Sequence, residues 1–194
     1  NFQAVGAVSG CSFAIRSDVL KYINGFDPDF FLYMEDADLS WRIRFAGGKI
    51  LYVPESIIYH KFNLSIAPWK EFYLERNRYL ILLKNLDTKT LLLLTPALAI
   101  TEIVTMSHAV LNGPKYIKSK FMAYLWIIKH IRAISIKRDE TLSKKRVTDK
   151  EFFGLLDWSI PFEQVIENPI MKRTTDIIFN SFYALNMKLI RRII

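Results

Sequence analysis

The stretch GFDPDFFLYMEDADLSWRIRFAGGKILYVP, residues 25–54, decides the fold class of this chain. It passes from a Gly-Phe-Asp-Pro-Asp turn through an aromatic run to three clustered carboxylates, Glu35-Asp36 and Asp38. Apolar residues then recur at helical spacing until Gly47-Gly48, which ends the predicted helix. The residues over 49–53 predict a strand. A helix followed closely by a strand indicates an α/β fold.

The flanking residues extend this pattern. Small apolar residues over 4–16 predict a buried strand with a close backbone approach at Gly10. Ser17 is placed to cap a short helix over 18–23, which Asn24-Gly25 would end. A further strand is predicted over 56–60, and helical periodicity returns at about 68–86.

The second half of the chain predicts helices. An apolar helix over 90–112 ends at Asn-Gly-Pro, and a second one, over 115–136, carries lysines and aromatic residues. A polar basic linker is expected over 137–147, and a short helix over 148–156. The last segment, 174–194, has apolar residues on one stripe and two arginines near its end.

The net charge of +8 divides the 194-residue chain into two predicted parts. Residues 1–88 hold ten basic and ten acidic side chains, whereas 89–194 hold seventeen and nine. Eleven of the basic groups and three acids lie within 115–150. We therefore expect an α/β part over 1–88 and a basic helical part over 89–194 that associates with a membrane or packs on the first.

Composition excludes several classes of protein. Hydrophobic residues make up 51% of the chain, which excludes disorder. No uncharged apolar run reaches about 20 residues, which argues against a polytopic membrane protein. The single cysteine excludes an internal disulfide. The chain begins with Asn1 and no basic-then-apolar leader follows, so we expect no signal peptide and suspect a fragment of a longer protein.

The clustered acids allow two interpretations from spacing alone. Carboxylates this close repel one another, which favours a bound cation or a reactive site. On a helix, Glu35 and Asp38 would share a face and Asp36 would point elsewhere. The alternative is structural, because acids in the first turn of a helix also favour its dipole.

The wider string resembles the C-terminal half of the catalytic domain of family 2 glycosyltransferases, which have a GT-A fold. It is most similar to the rhamnosyltransferase-like branch. The resemblance covers about 60 residues, and a lone Glu-Asp pair would not carry it. The matching pieces, in order, are Gly10 with Ala14-Ile15-Arg16, Gly25-Phe26-Asp27, Phe30-Phe31, Glu35-Asp36, Asp38-Leu39, Arg42, Gly47, Tyr52-Val53-Pro54 and His60.

The resemblance implies transfer of a sugar from a nucleotide-sugar donor to an acceptor hydroxyl, with inversion. It implies that Asp36 is the base that takes the proton from the attacking hydroxyl. It also implies that Glu35 orients the acceptor or supports Asp36, and that Asp38, Gly10 and Arg42 bind the acceptor or support the site. The usual products of the family are cell-surface polysaccharides and glycolipids.

The resemblance further implies a divalent metal, Mn²⁺ or Mg²⁺, that neutralises the departing diphosphate. The family's metal-binding Asp-x-Asp lies in a first half that has no counterpart here, so we expect this chain to bind a nucleotide sugar poorly by itself. Asp27-Pro28-Asp29 imitates that motif but is predicted to be a turn. His60 is a candidate ligand of the metal or the diphosphate; the alternative is a histidine satisfied at a strand end.

The helical part leads us to expect a position at a membrane. Residues 90–112 are long enough to span a bilayer, but Glu102 lies in the middle of this segment. The donor and the basic stretch both belong in the cytosol, which favours a peripheral or monotopic arrangement on the cytoplasmic face. Lys115 to Lys137 would then form an amphipathic helix on an anionic surface, and 174–194 a second. The alternative is a soluble helical subdomain that packs on the catalytic part or on a second copy.

Three other functions are left open by the sequence. Glycoside hydrolysis also uses two carboxylates, but adjacent Glu35 and Asp36 fit its geometry poorly, so Glu55 or Glu71 would have to take part. A non-catalytic binding or scaffold part of a split transferase is a further alternative. A basic nucleic-acid-binding module is disfavoured, because the basic stretch lacks zinc and RNA-recognition signatures, so we expect no nucleic-acid partner.

Overall fold

The computed structural model describes residues 2–61, 67–156, 173 and 176–194, with the backbone alone for Ile178. Two short strands, β1 (Gln3–Ala4) and β2 (Leu51–Tyr52), pair in an antiparallel manner, with Gln3 opposite Tyr52. Within the described ranges these two strands form the whole sheet. The rest of the described chain is largely helical.

The helices carry most of the packing. The longest, α5, packs chiefly along α3, and α4 packs on α5. The described helices are α1 (Ser17–Tyr22), α2 (Glu35–Phe45), α3 (Pro68–Asn85), α4 (Thr88–Asn112), α5 (Pro114–Ser143), α6 (Asp149–Phe153), a π-helical turn (Asp176–Asn180) and α7 (Ser181–Ile193).

Local signals for helix ends are confirmed. The chain leaves α1 through Asn24 and Gly25, whose φ angles of 60° and 64° cannot continue a right-handed helix. Gly47, at φ 87°, has the same role after α2. Asn112-Gly113-Pro114 separates α4 from α5 as predicted. Pro96 lies within α4 without ending it.

The strand predictions are mostly wrong. Instead of strands over 4–16, 49–53 and 56–60, β1 includes only Ala4 of the first region, β2 includes two residues of the second, and 56–60 form no strand. These segments are also more exposed than a core strand. A strand requires a hydrogen-bonded neighbour, and the described residues supply only one short pairing.

The predicted linker over 137–147 is also wrong in its first half, because α5 continues to Ser143. Tertiary contacts extend the helix: Lys137 Nζ lies 2.6 Å from Asp27 and 2.5 Å from Asp29, and Arg138 donates to the carbonyl oxygen of Leu83. The short helix predicted next is confirmed as α6, which begins with a Thr148–Glu151 capping box. Residues 174 and 175 of the predicted last segment lie outside the described residues.

The two predicted parts of the chain share hydrophobic clusters. Phe45 of α2 packs with Phe152 and Phe153 near α6 and with Ile190 of α7. A second cluster joins buried Phe30 to α3 and to Ile134 of α5. The basic helical part is therefore in direct contact with the segment that carries the acidic motif. This contact agrees with the packing role allowed for residues 89–194.

Candidate functional site

The N-terminus of α2 presents Asp36 in a defined orientation. Its Oδ2 accepts the backbone N–H of Gly10 at 2.6 Å, and its Oδ1 accepts the N–H of Ala37 at 2.7 Å. The side chain is half-buried. Each oxygen thus keeps a second lone-pair direction, so the carboxylate is fixed in place and can still accept a proton from a ligand.

Gly10 is required by the close approach of two chain segments. A Cβ atom built on Gly10 would lie 3.3 Å from Asp36 Oδ2. Buried Ser40, which the sequence analysis missed, supports the same approach: its Oγ donates to the Asp36 carbonyl oxygen at 2.7 Å and accepts the Val8 N–H at 3.1 Å. These bonds join residues 8–10 to the first turn of α2.

Glu35, predicted to assist Asp36, begins α2 and is half-buried. Its Oε2 is shielded from solvent and has no hydrogen-bond partner among the described residues. A shielded carboxylate oxygen without a partner is costly, so Glu35 requires a donor that the described residues do not supply. Its role in orienting the acceptor or supporting Asp36 stays a prediction.

Asp38 and Arg42 lie inside the protein rather than at its surface. Asp38 is fully buried and pairs with Lys84 at 2.7 Å and with Arg42 at 2.8 Å. The amide of Asn85 donates to it at 3.0 Å, and Arg42 also donates to the carbonyl oxygen of Ile23. Of the two roles predicted for this pair, binding the acceptor or supporting the site, this placement favours support.

Arg42 also lines a cavity of about 270 Å³ between the 23–28 turn and the C-terminal part of α5. Its Nη2 is shielded and has no partner among the described residues. Lys84 and Lys137 of the wall share Asp27, and Lys144 pairs with Glu140. The wall thus carries four cations and two acids, so its charge is positive.

The loop before α2 has an unusual backbone. Phe31, Tyr33 and Met34 have φ angles of 56°, 65° and 63°, in the left-handed region that side chains disfavour. Such strain persists only where surrounding contacts hold it, and it is common at functional sites. The acidic motif thus follows a loop whose backbone conformation must be held by contacts with other parts of the protein.

Two residues of α3 hold this loop, and the sequence analysis missed both. Asn77 is fully buried, and its Nδ2 lies 2.9, 2.7 and 2.7 Å from the carbonyl oxygens of Phe30, Leu32 and Tyr33. Arg76 donates to the Phe30 carbonyl oxygen at 2.8 Å. The polar run Glu75–Arg78 within an otherwise apolar helix was the available signal.

His60 is the metal ligand predicted within this chain, because the other ligands were expected in the first half of the domain. Among residues 2–61, 67–156, 173 and 176–194, no group of three or more His, Cys, Asp or Glu side chains could hold a metal ion. His60 is exposed in the segment after β2. Asp27-Pro28-Asp29 is a turn, as predicted, closed by a bond from the Phe30 N–H to the Asp27 carbonyl oxygen. The described residues do not by themselves fit the divalent metal that the resemblance implies.

An open groove is lined by Ser9 and Cys11, the two neighbours of Gly10 in the chain. Its volume is about 890 Å³, and its walls come from residues 5–19, from α2 and from residues 49–58. Apolar side chains dominate the walls, and exposed Cys11 lies at its edge beside Gly10. An open apolar groove on a two-stranded sheet is typical of a surface that further structure covers.

Part of the chain is similar to known proteins. Residues 2–79 match the family described as "Glycosyltransferase like family 2". Two curated proteins of Mycobacterium tuberculosis, from strains CDC 1551 / Oshkosh and ATCC 25618 / H37Rv, are each 40% identical over 60 residues. Both are named N-acetylglucosaminyl-diphospho-decaprenol L-rhamnosyltransferase. No solved structure matches the chain.

These matches confirm the resemblance to family 2 glycosyltransferases that the motif predicted. The family match implies a GT-A-type fold for the segment that contains Gly10, Glu35 and Asp36. Each aligned segment covers 30% of this chain and 20% of the relative. The chain therefore corresponds to a small part of the length of these relatives.

Proposed function

We propose that this chain forms the acceptor side of an inverting glycosyltransferase that works on a cell-surface polysaccharide or a glycolipid. The observation that carries the proposal is the geometry of Asp36, which two backbone N–H groups hold at the start of α2. The match of residues 2–79 to a glycosyltransferase family supports it. The donor is a nucleotide sugar.

In the proposed reaction, an acceptor hydroxyl attacks the anomeric carbon of the donor sugar on the face opposite the departing diphosphate. The C–O bond to the diphosphate breaks as the new glycosidic bond forms, and the hydroxyl proton moves to Asp36. Because Gly10 and Ala37 fix the carboxylate, it is aligned before the hydroxyl arrives. Glu35, which precedes Asp36 at the start of α2, is proposed to orient the acceptor or to support Asp36.

The donor side of the site is proposed to come from residues outside this chain. The described residues lack a metal cluster, and the apolar groove beside Gly10 is open. A divalent metal would be held mainly by those outside residues, with His60 as the ligand that this chain contributes. When bound, such a metal neutralises charge on the leaving diphosphate.

The name of the two M. tuberculosis relatives supports a narrower proposal for the substrates. We propose that the transferred sugar is a deoxyhexose of the rhamnose type and that the acceptor is a glycan on a diphosphate-linked lipid. A lipid-linked acceptor would require the enzyme to work at a membrane surface.

The test is a transfer assay with the complete polypeptide that carries this chain. A labelled nucleotide rhamnose and a short-chain diphospho-lipid sugar are supplied with Mn²⁺ or Mg²⁺. We expect a lipid-linked disaccharide whose new glycosidic bond has the anomeric configuration opposite to that of the donor. No transfer from any of a panel of nucleotide sugars would overturn the proposal, and retention of configuration would overturn its inverting mechanism.

We further propose that the helical part rests on the cytoplasmic face of the membrane as a peripheral or monotopic element. The apolar character of α4 supports this position. This helix is long and apolar enough to cross a membrane, because an 18-residue stretch of it has a mean hydropathy of 1.6. Only 17% of that stretch is buried in the protein.

The single acid of α4, Glu102, is held by side chains of the neighbouring helices. Glu102, which by sequence argued against insertion, accepts hydrogen bonds from Arg78 and Tyr79 and lies 3.0 Å from buried Lys120. The Tyr124 hydroxyl donates to Oε1 of Glu102. Burial alone would raise the pKa of Glu102, but these donors lower it to about 2. The charge of Glu102 is thus neutralised on the protein side and need not face lipid.

The outer face of α5 combines apolar and basic side chains. Residues 115–136 contain no acid, and basic side chains stand among the apolar ones. This pattern is suited to anionic head groups above an apolar layer. The exposed apolar residues are Phe121, Met122, Leu125, Ile128, Ile131 and Ile136, and the exposed basic ones are Lys115, Lys118, Lys129 and Arg132.

Vesicle flotation of the 194-residue chain tests this position. We expect the chain to float with vesicles that contain an anionic phospholipid and to float less with neutral ones. Leu125→Glu should abolish flotation, whereas Ser17→Glu adds the same charge on exposed α1 and should leave it intact. Equal flotation of both variants, or none by the unchanged chain, would refute the membrane proposal. A dimer that ignores vesicles would instead assign the outer face to self-association.

A further inference from the structure

An exposed aromatic ring stands directly before the acidic motif. Phe31 is 73% exposed to solvent, although most large aromatic side chains pack inside proteins. Its φ angle of 56° is one that non-glycine residues rarely adopt. The chain therefore keeps a bulky residue in a disfavoured backbone conformation without burying it, which is the combination expected of a ligand contact.

The direction of this ring is fixed by its neighbours. Phe30, on one side, is fully buried in the cluster with α3 and α5. The carbonyl oxygens of Phe30 and Leu32, which flank Phe31 in the chain, both accept from Asn77. Phe31 thus projects outward from a short segment that is held on both sides.

A second aromatic ring lies beside the first. The centroids of Phe31 and Tyr73 are 5.3 Å apart, with an angle of 38° between their planes. The guanidinium of Arg76 lies 4.8 Å from the Tyr73 ring centre and helps to hold it. The two rings together form an apolar surface next to a half-buried carboxylate site.

We infer that Phe31 and Tyr73 form a subsite for the acceptor, in which the apolar face of a sugar ring stacks on Phe31. Carbohydrate rings offer one face of C–H groups to an aromatic surface and direct their hydroxyls sideways. Phe31 lies on the loop that leads directly into α2, which begins with Glu35 and Asp36, and the proposed subsite places the acceptor at this end of the helix. This inference rests on the proposed function, because it assigns the acceptor to that same site.

Saturation-transfer NMR on the 194-residue chain tests the subsite without any turnover. The probe is the methyl glycoside of N-acetylglucosamine at millimolar concentration. We expect saturation of its ring C–H protons, with affinity about five- to tenfold weaker in Phe31→Leu and retained in Phe31→Trp. Phe2→Leu removes a comparably exposed ring, 69% exposed, and should change nothing. Equal signals from Phe31→Leu and Phe2→Leu would overturn the subsite.

A kinetic comparison separates this inference from the proposed function. In the complete polypeptide, Phe31→Leu should raise the KM for the acceptor about tenfold and leave kcat and the donor KM unchanged. An unchanged acceptor KM in an active enzyme would refute the subsite and leave the transferase proposal standing. Absence of any transferase activity would refute the proposed function, whatever the NMR signals show.

Discussion

Asn77 offers a test of the way in which α3 shapes the site. Its Nδ2 lies 2.7 to 2.9 Å from three carbonyl oxygens of the strained loop, and Asn77 itself is fully buried. Asn77→Ala would take the donor away from the carbonyl groups of Leu32 and Tyr33, whereas that of Phe30 keeps its bond from Arg76. Each buried unsatisfied group costs roughly 1–3 kcal/mol, so we expect a loss of about 3 kcal/mol in the free energy of unfolding from these bonds.

Asn186 provides a matched control for this change. It is also a buried asparagine on a helix, but its Nδ2 makes one long bond of 3.4 Å, to the Leu93 carbonyl oxygen. Asn186→Ala removes the same atoms and creates a similar cavity, so the difference between the variants isolates the loop contacts. We expect Asn186→Ala to cost about 2 kcal/mol less than Asn77→Ala.

Urea unfolding followed by tryptophan fluorescence is the appropriate assay. With a slope of about 2 kcal/mol/M, Asn77→Ala should lower the midpoint by at least about 1 M more than Asn186→Ala does. Equal midpoints for the two variants would refute the argument, because the loop would then hold its shape without the Asn77 amide. A change in slope would instead point to an altered denatured state.

Three further predictions follow from other contacts. Gly10→Ala places a methyl group against the Asp36 carboxylate, so kcat of the complete polypeptide should fall about tenfold or more in a steady-state assay, and an unchanged kcat would contradict the approach at 3.3 Å. Lys120→Met removes one of the two cations that Glu75 and Glu102 share, because Arg78 also pairs with both acids. The change should cost about 1.5–3 kcal/mol in urea unfolding, and a near-neutral result would contradict this role of Lys120. Burial raises the pKa of Asp27, but the nearby Lys84 and Lys137 lower it to about 2. The ionised Asp27 carboxylate therefore stabilises the fold above about pH 4, and this stabilisation is lost as the pH falls towards 2. Melting temperatures measured from pH 6 to 2 should therefore fall less steeply in Asp27→Asn, and parallel curves would count against this ion pair.

The local features of the fold could be predicted from the sequence. Gly47, Asn24-Gly25 and Asn112-Gly113-Pro114 act through their own backbone preferences, and each ends a helix where predicted. The strands failed because a strand depends on partners, and only β1 and β2 find each other among the described residues. The end of α5 was misplaced because Lys137 and Arg138 are stabilised by distant residues.

The same distinction between local signals and contacts with distant residues applies to the candidate site. Asp36 and Gly10 were found through an ordered motif, and the structure brings them into contact. Ser40 and Asn77 were missed because their importance depends on backbone groups remote in sequence, which no spacing reveals. Glu102 was considered only as a charge within an apolar segment, and the sequence does not reveal that Arg78 and Lys120 pair with it.

The central claim is that Asp36 is the base of a glycosyl transfer, and the most direct measurement is the transfer rate of Asp36→Asn in the complete polypeptide. Asparagine has nearly the same shape but cannot take the proton from the acceptor hydroxyl. We expect kcat to fall by about 10² or more while the protein remains folded and the acceptor KM changes little. Undiminished transfer by Asp36→Asn would contradict the account.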